Sequence, residues 1–247
     1  MRSLSKRRVL VGFCALVVGL LLTGCASGYQ QVEGRWVFVT WNESSGRVDI
    51  PVPDVDAASF SPFDKSEYAR DAASVYYRAV PIAGTDPATF EHVRGSYWQD
   101  RNRVYFFAKP IPGSDPKTFR FLQHGSWARD DSNVYVGADP VNPKDLATFQ
   151  LLNANWAKDA AHYYPAKYDR YIPIAELDYP SFQVLKGGWA KDRYRVYFYE
   201  RVVEGADPAT FSALSDHRAR DDAYYYLTGF RQRSVQEEEA LQQRQGK

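Results

Sequence analysis

Cysteine is almost missing from this 247-residue chain: Cys14 and Cys25 are the only two. Two thiols cannot build a disulfide framework, a zinc ribbon or an iron–sulfur ligand set. Histidine is nearly as scarce. His92, His124, His162 and His217 fall at four different offsets within the repeat described below, so the sequence does not gather them into a site of converging ligands. A structural or surface role is expected for each. A Gly-rich nucleotide loop, an H-E-x-x-H pair and a G-x-S-x-G elbow are all lacking. Asp139 and Asp145 lie close together in Asp-Pro-Val-Asn-Pro-Lys-Asp, but their spacing fits no EF-hand loop and reads as a turn. No metal and no cofactor is expected. Excess positive charge is lacking as well, with Lys+Arg 31 against Asp+Glu 30. Setting aside Arg2, Lys6, Arg7 and Arg8 leaves 27 against 30, a formal −3, which disfavours a nucleic-acid partner. Hydrophobic residues at 45% and charged residues at 25% indicate a globular chain rather than a disordered one.

The four basic residues open a targeting segment. After Arg8, residues 9–22 are uninterrupted apolar or small, a run too short for an ordinary transmembrane helix. It ends in Leu22-Thr23-Gly24-Cys25, which resembles the lipobox of bacterial lipoproteins. The resemblance implies a signal peptide over 1–24, cleavage before Cys25, and diacylglycerol on the Cys25 thiol as membrane anchor, with palmitate among its acyl chains. Residues 25–33 then form a lipid-anchored tether. Acyl chains contribute about 0.8 kcal/mol per buried CH₂, so several hold firmly. Ala26, where an aspartate would suggest inner-membrane retention, points to the outer membrane, on its periplasmic face or at the cell surface.

Self-similarity dominates the rest. Asp71, Asp100, Asp130, Asp159, Asp192 and Asp221 recur at spacings of 29, 30, 29, 33 and 29, the signature of a repeat array. Five residues after each stands a tyrosine: Tyr76, Tyr105, Tyr135, Tyr164, Tyr197 and Tyr226. Three residues before stand Tyr68, Tyr97, Trp127, Trp156, Trp189 and, breaking the column, Arg218. The preceding residue is basic at Arg70, Arg129, Lys158, Lys191 and Arg220, with Gln99 the exception. In phase with these run Asp56, Asp86, Asp115, Asp145, Asp178 and Asp207, each four residues before a phenylalanine (Phe60, Phe90, Phe119, Phe149, Phe182, Phe211). A third column has Pro51, Pro81, Pro110, Pro140 and Pro173.

One unit therefore reads as an aromatic strand, a tight aspartate turn, a β-branched and aromatic strand, a proline that ends pairing, and one or two helical turns. The second aspartate column caps those turns. The fold class expected is mainly β: repeated β-hairpin units with short helical turns, stacked because one unit cannot bury its own core. About six units of some thirty residues fill 34–230. An open array is the first reading and a closed, propeller-like ring the second. Four extra residues around 167–171 suggest a longer loop. Ser234 and Glu237 form a capping box for a polar helix within 231–247.

Tyr-Ala-Arg-Asp71-Ala-Ala-Ser-Val-Tyr-Tyr77 and Trp-Ala-Lys-Asp192-Arg-Tyr-Arg-Val-Tyr-Phe198 resemble the DKNYY family, bacterial envelope and secreted proteins with repeated aspartate-turn-Val-Tyr-Tyr hairpins. The resemblance covers 60–226. Asp100-Arg101-Asn102 comes nearest to the family's Asp-Lys-Asn core and Asp71-Ala72-Ala73 departs from it. The resemblance implies the architecture and brings no catalytic residue or cofactor with it.

The aspartate and tyrosine columns have a structural explanation, since a repeat protein reuses its packing, turn and capping residues in every unit. Their functional alternative is a stacking ladder for sugars, with the basic column meeting acidic groups. Function is expected instead where units differ: Gln99, Arg218 and 167–171. The expectation is a non-enzymatic envelope lipoprotein that binds or scaffolds a protein or glycan. The rival is a polymer hydrolase with an acidic pair across a groove.

Overall fold

The computed structural model describes residues 27–64, 67–123, 125–171, 173–174 and 177–245. The proposed signal peptide, lipobox and Cys25 lie outside them, as does His124. Seven antiparallel sheets follow one another among the described residues. The first has three strands in sequential order, β1 (Gly28–Val32), β2 (Arg35–Asn42) and β3 (Gly46–Pro51). Each of the other six has four. In unit one these are β4 (Ser61–Pro62), β5 (Tyr68–Arg70), β6 (Val75–Tyr77) and β7 (Val80–Pro81). Units two to six repeat the plan over 91–110, 120–140, 150–171, 183–202 and 212–234. The array is open, with no closed barrel or ring among the described residues.

The inner hairpin forms as the sequence predicts. Val75 and Tyr76 are consecutive, β-prone and both buried, because neighbouring units cover both faces of so short a sheet. Opposite the tyrosine stands a small residue, Ala69 in unit one, then Ala128, Ala157, Ala190 and Ala219; only unit two departs, with Trp98. Alanine leaves room for the ring to lie across the strand pair.

Stacking is aromatic throughout. The phenylalanine of each connecting turn sits between a ring of the sheet before it and the column tyrosine after it. Phe149 lies 5.8 Å from Trp127 and 5.9 Å from Tyr164; Phe211 lies 5.4 Å from Trp189 and 5.5 Å from Tyr226. The first sheet starts this spine with Trp36, 4.6 Å from Phe60. Among the described residues no further unit follows unit six, and there the column holds the exposed Arg218. Terminal repeats need a polar outer face, so the break at Arg218 is a cap.

Five expectations need correction. Residues 28–32 are a strand paired with β2 rather than a tether, because Tyr29 packs on Phe38 and Phe60 and its Oη accepts the Ala79 N–H at 3.0 Å. Proline does not end pairing. Pro81, Pro110 and Pro140 lie in the edge strands, and the following N–H still donates to the ladder, Ile82 to the Val75 carbonyl at 2.8 Å. The connecting segments are single turns; among the described residues only 179–181 closes into a 3₁₀ helix. The extra residues near 167–171 are no loose loop. They lengthen a paired hairpin, Tyr163–Lys167 against Arg170–Tyr171. At the C-terminus, Phe230–Ser234 is a fourth strand, and α1 (Val235–Gln245) begins after it with the capping box formed: the Glu237 N–H donates to Ser234 Oγ at 3.2 Å and the Ser234 N–H to Glu237 Oε2 at 2.8 Å.

Candidate functional site

The repeated columns build an internal lock. Asp130 Oδ1 accepts the N–H groups of Ser132 and Asn133, both at 2.8 Å, closing the hairpin turn. Its Oδ2 accepts the Tyr135 hydroxyl at 2.8 Å and the Asp115 N–H at 2.9 Å, tying the hairpin to the turn before it. The same four-bond pattern surrounds Asp71, Asp100, Asp159, Asp192 and Asp221, with Tyr76, Tyr105, Tyr164, Tyr197 and Tyr226 as the hydroxyl donors. All six carboxylates and their tyrosines are buried.

Burial pushes the Asp71, Asp130, Asp159, Asp192 and Asp221 carboxyls up, yet the hydrogen bonds they accept outweigh it and hold each below the ordinary aspartate value. Burial and the neighbouring carboxylate together raise the column tyrosines, Tyr76 to about 12. Rings buried in this way cannot stack on a ligand. The lock also uses a column that the sequence reading passed over: Ser59, Thr89, Thr118, Thr148, Ser181 and Thr210, each just before a column phenylalanine. Each hydroxyl accepts the N–H that follows a column aspartate, as Thr89 does from Arg101 at 3.1 Å. A Ser or Thr immediately before every column phenylalanine is the signal.

The basic column is structural at two places. Arg70 donates to the Pro87 carbonyl at 2.7 Å, and Lys191 to those of Pro208 at 2.9 Å and Phe211 at 3.2 Å. The described histidines do not converge. His92 Nε2 lies 2.8 Å from the Gly95 carbonyl oxygen, and the backbones of His162 and His217 serve turns. Among the described residues no three His, Cys, Asp or Glu gather as metal ligands.

The exposed chemistry lies elsewhere, on the tight turns joining the third and fourth strands of each unit. Successive turns touch. Phe107 lies 6.1 Å from Tyr77; Gly137, at φ 58°, is so close to Asp169 that a Cβ would strike its carbonyl; Lys167 lies 3.9 Å from Glu200; Arg201 donates to the Thr228 carbonyl at 2.6 Å. The result is a continuous ridge along one edge of the array. It carries aromatic rings in open view, with Tyr168 83% exposed, Phe230 59% and Phe107 40%. Cations stand among them: Lys167 Nζ lies 5.5 Å from the Tyr168 ring and 5.4 Å from the Tyr199 ring, and the Arg201 guanidinium 3.7 Å from that of Phe230. Phe107, Tyr168 and Tyr199 adopt φ of 50°, 49° and 53°, the left-handed region that bulky residues avoid. The lengthened hairpin of unit four puts Tyr168 at the crest. Sequence reading singled out 167–171 for its length and had no means of seeing that the turn tips of all six units align.

Sheets that cannot stand alone, joined by a buried aspartate–tyrosine lock and bearing a side ridge, define a β-repeat protein of the stacked-hairpin class. The chain belongs to the DKNYY family: the family's model matches residues 97–230, more than half of it. The match starts in unit two. Unit one, whose Asp71-Ala72-Ala73 turn departs from the family's core, lies outside it yet forms the same lock. No curated protein and no solved structure matches the chain significantly.

Proposed function

We propose that the protein is a lipid-anchored envelope protein that binds an elongated envelope glycan along the turn ridge and performs no chemistry of its own. The observation that carries this is the continuity of the ridge: it shows Arg78, Phe107, Tyr168 and Phe230 exposed in units one, two, four and six and Tyr199 and Arg201 half-buried in unit five, and such a row suits a ligand that is itself a polymer. Rings with polar edges fit sugar faces, the cations fit acidic substituents, and repeated weak contacts multiply into avidity. The positive φ of the ridge turns belongs to the two-residue hairpin geometry, shared with Arg78 and Thr228, and it holds Phe107, Tyr168 and Tyr199 at the turn tips. The Leu22–Cys25 segment supports attachment through Cys25, with the outer membrane as the destination. A hydrolase would need a carboxyl raised to act as general acid; every described carboxyl whose pKa is displaced moves down, which favours binding over catalysis.

The test uses the chain from residue 26 with isolated peptidoglycan sacculi and a panel of glycan and ester substrates. Retention on sacculi without turnover is expected. Reproducible turnover that disappears on replacing one acidic residue, with folding intact, overturns the reading. Anchoring is tested by radiolabelled palmitate, which should enter the wild type and not Cys25→Ala.

A further inference from the structure

Unit two breaks three columns at once. Trp98 replaces the alanine, Gln99 the basic residue, and Glu91 stands where the other units open on Ser61, Arg120, Gln150, Gln183 and Ser212. Glu91 and Gln99 are direct partners across the strand pair. Three junctions between units turn on Asp-Pro: Asp86-Pro87, Asp115-Pro116 and Asp207-Pro208. At the first, Arg70 fills the junction and donates to the Pro87 carbonyl at 2.7 Å; at the third, Lys191 donates to that of Pro208 at 2.9 Å. At the middle one the corresponding residue is Gln99, neutral and shorter.

The Gln99 amide is turned so that Nε2 donates to Glu91 Oε1 at 2.7 Å. Its Oε1 is left buried with no hydrogen-bond partner, an arrangement that costs stability until a donor arrives. Where the sibling cation would lie there is an open groove of about 540 Å³, lined by Glu91, Gln99, Arg101, Pro116 and Lys117 among others. Arg101 does not fill it, being paired with Asp86. The groove lies at the aspartate-turn end of the strands, away from the ridge, and its reading does not depend on the one proposed for the ridge.

We infer that this groove binds a guanidinium or ammonium group on an alkyl stem, the basic side chain of an incoming protein. The cation takes the place that Arg70 and Lys191 occupy in the sibling junctions. Gln99 Oε1 and the Glu91 carboxylate supply acceptors, and the Pro116 carbonyl is the counterpart of those used by Arg70 and Lys191. A planar guanidinium can engage several of these at once.

The experiment titrates the full-length protein, in detergent, with N-acetyl-arginine amide and with its neutral isostere N-acetyl-citrulline amide, following backbone and Gln99 side-chain amide resonances. Saturable shifts centred on Glu91, Gln99 and Lys117 are expected with the arginine compound, and binding about tenfold weaker or absent with citrulline. Gln99→Arg supplies the missing cation from within; it should fold, melt at a higher temperature and abolish binding. Glu91→Gln should weaken binding about tenfold. Lys117→Gln, which removes a like charge from the lip, should strengthen it. Equal binding of citrulline, undiminished binding to folded Gln99→Arg, or loss of binding in Lys117→Gln would each overturn the inference, as would the absence of saturable shifts in the wild type.

Discussion

A buried carboxylate is costly unless its lone pairs are filled, and the six column aspartates show how a repeat meets that demand. Each accepts two donors from its own turn, one from a tyrosine five residues on, and one from the preceding junction. Tyr135→Phe removes one of these from Asp130 and should cost about 1.5–3 kcal/mol, the usual worth of a hydrogen bond to a charged group. Tyr135→Ala also loses the ring packed 5.8 Å from Phe119 and should cost about 3–5 kcal/mol; urea denaturation measures both. The locks also make stability depend on pH at both ends. The Asp71, Asp130, Asp159, Asp192 and Asp221 carboxyls are depressed in the fold, so their contribution is complete above the ordinary value of 3.8 and is lost as pH falls below it through the folded values. The column tyrosines are raised, so their contribution is complete below 10.0 and is lost as pH rises above it. Urea midpoints across the pH range should show a plateau between these limits, falling on either side. A midpoint that stays flat to below pH 3.8 would mean that the locks contribute nothing.

At the scale of the element, the inner hairpins were legible in the sequence because Val-Tyr pairs and aspartate turns are local signals. The outer strands were not. They are two residues long in most units, and one of them ends in proline, so composition argues against them; they exist because the edge of each sheet is covered by the next turn. The hairpin of unit four was misread for a related reason: length alone cannot distinguish a loop from two additional rungs of ladder. Its tip makes a sharp prediction. Tyr168 holds φ 49° while 83% exposed, so nothing buried compensates its strain. Tyr168→Gly should raise the urea midpoint, because glycine adopts this conformation freely, while weakening retention on the ligand. A stabilised variant with undiminished binding would leave the strain without a functional counterpart.

Across the whole molecule the repeat behaves as a one-dimensional stack. Units contact their neighbours through the phenylalanine spine, and the ends are closed differently, by a three-stranded sheet at the front and by Arg218 behind. The column breaks at Arg218 and Gln99 were visible in the sequence, but their meanings, a polar cap and an unfilled junction, depend on which units stand beside them. Arg218→Trp would restore the column on a face that no described unit covers. It should fold and self-associate, detected as a concentration-dependent shift in sedimentation velocity, because the new ring offers the contact that Trp189 makes with Phe211 to another molecule. The central claim divides the aromatic residues in two, with the buried columns holding the array together and the exposed ridge meeting the ligand. Binding isotherms on isolated sacculi test that division most directly, comparing the wild type with a Tyr168→Ala, Phe230→Ala double variant and with Tyr135→Phe, each corrected for its folded fraction. The account expects the ridge variant to lose most of its retention with its stability unharmed, and Tyr135→Phe to bind as the wild type does once folded. Full retention by the ridge variant, or lost binding in folded Tyr135→Phe, would contradict it.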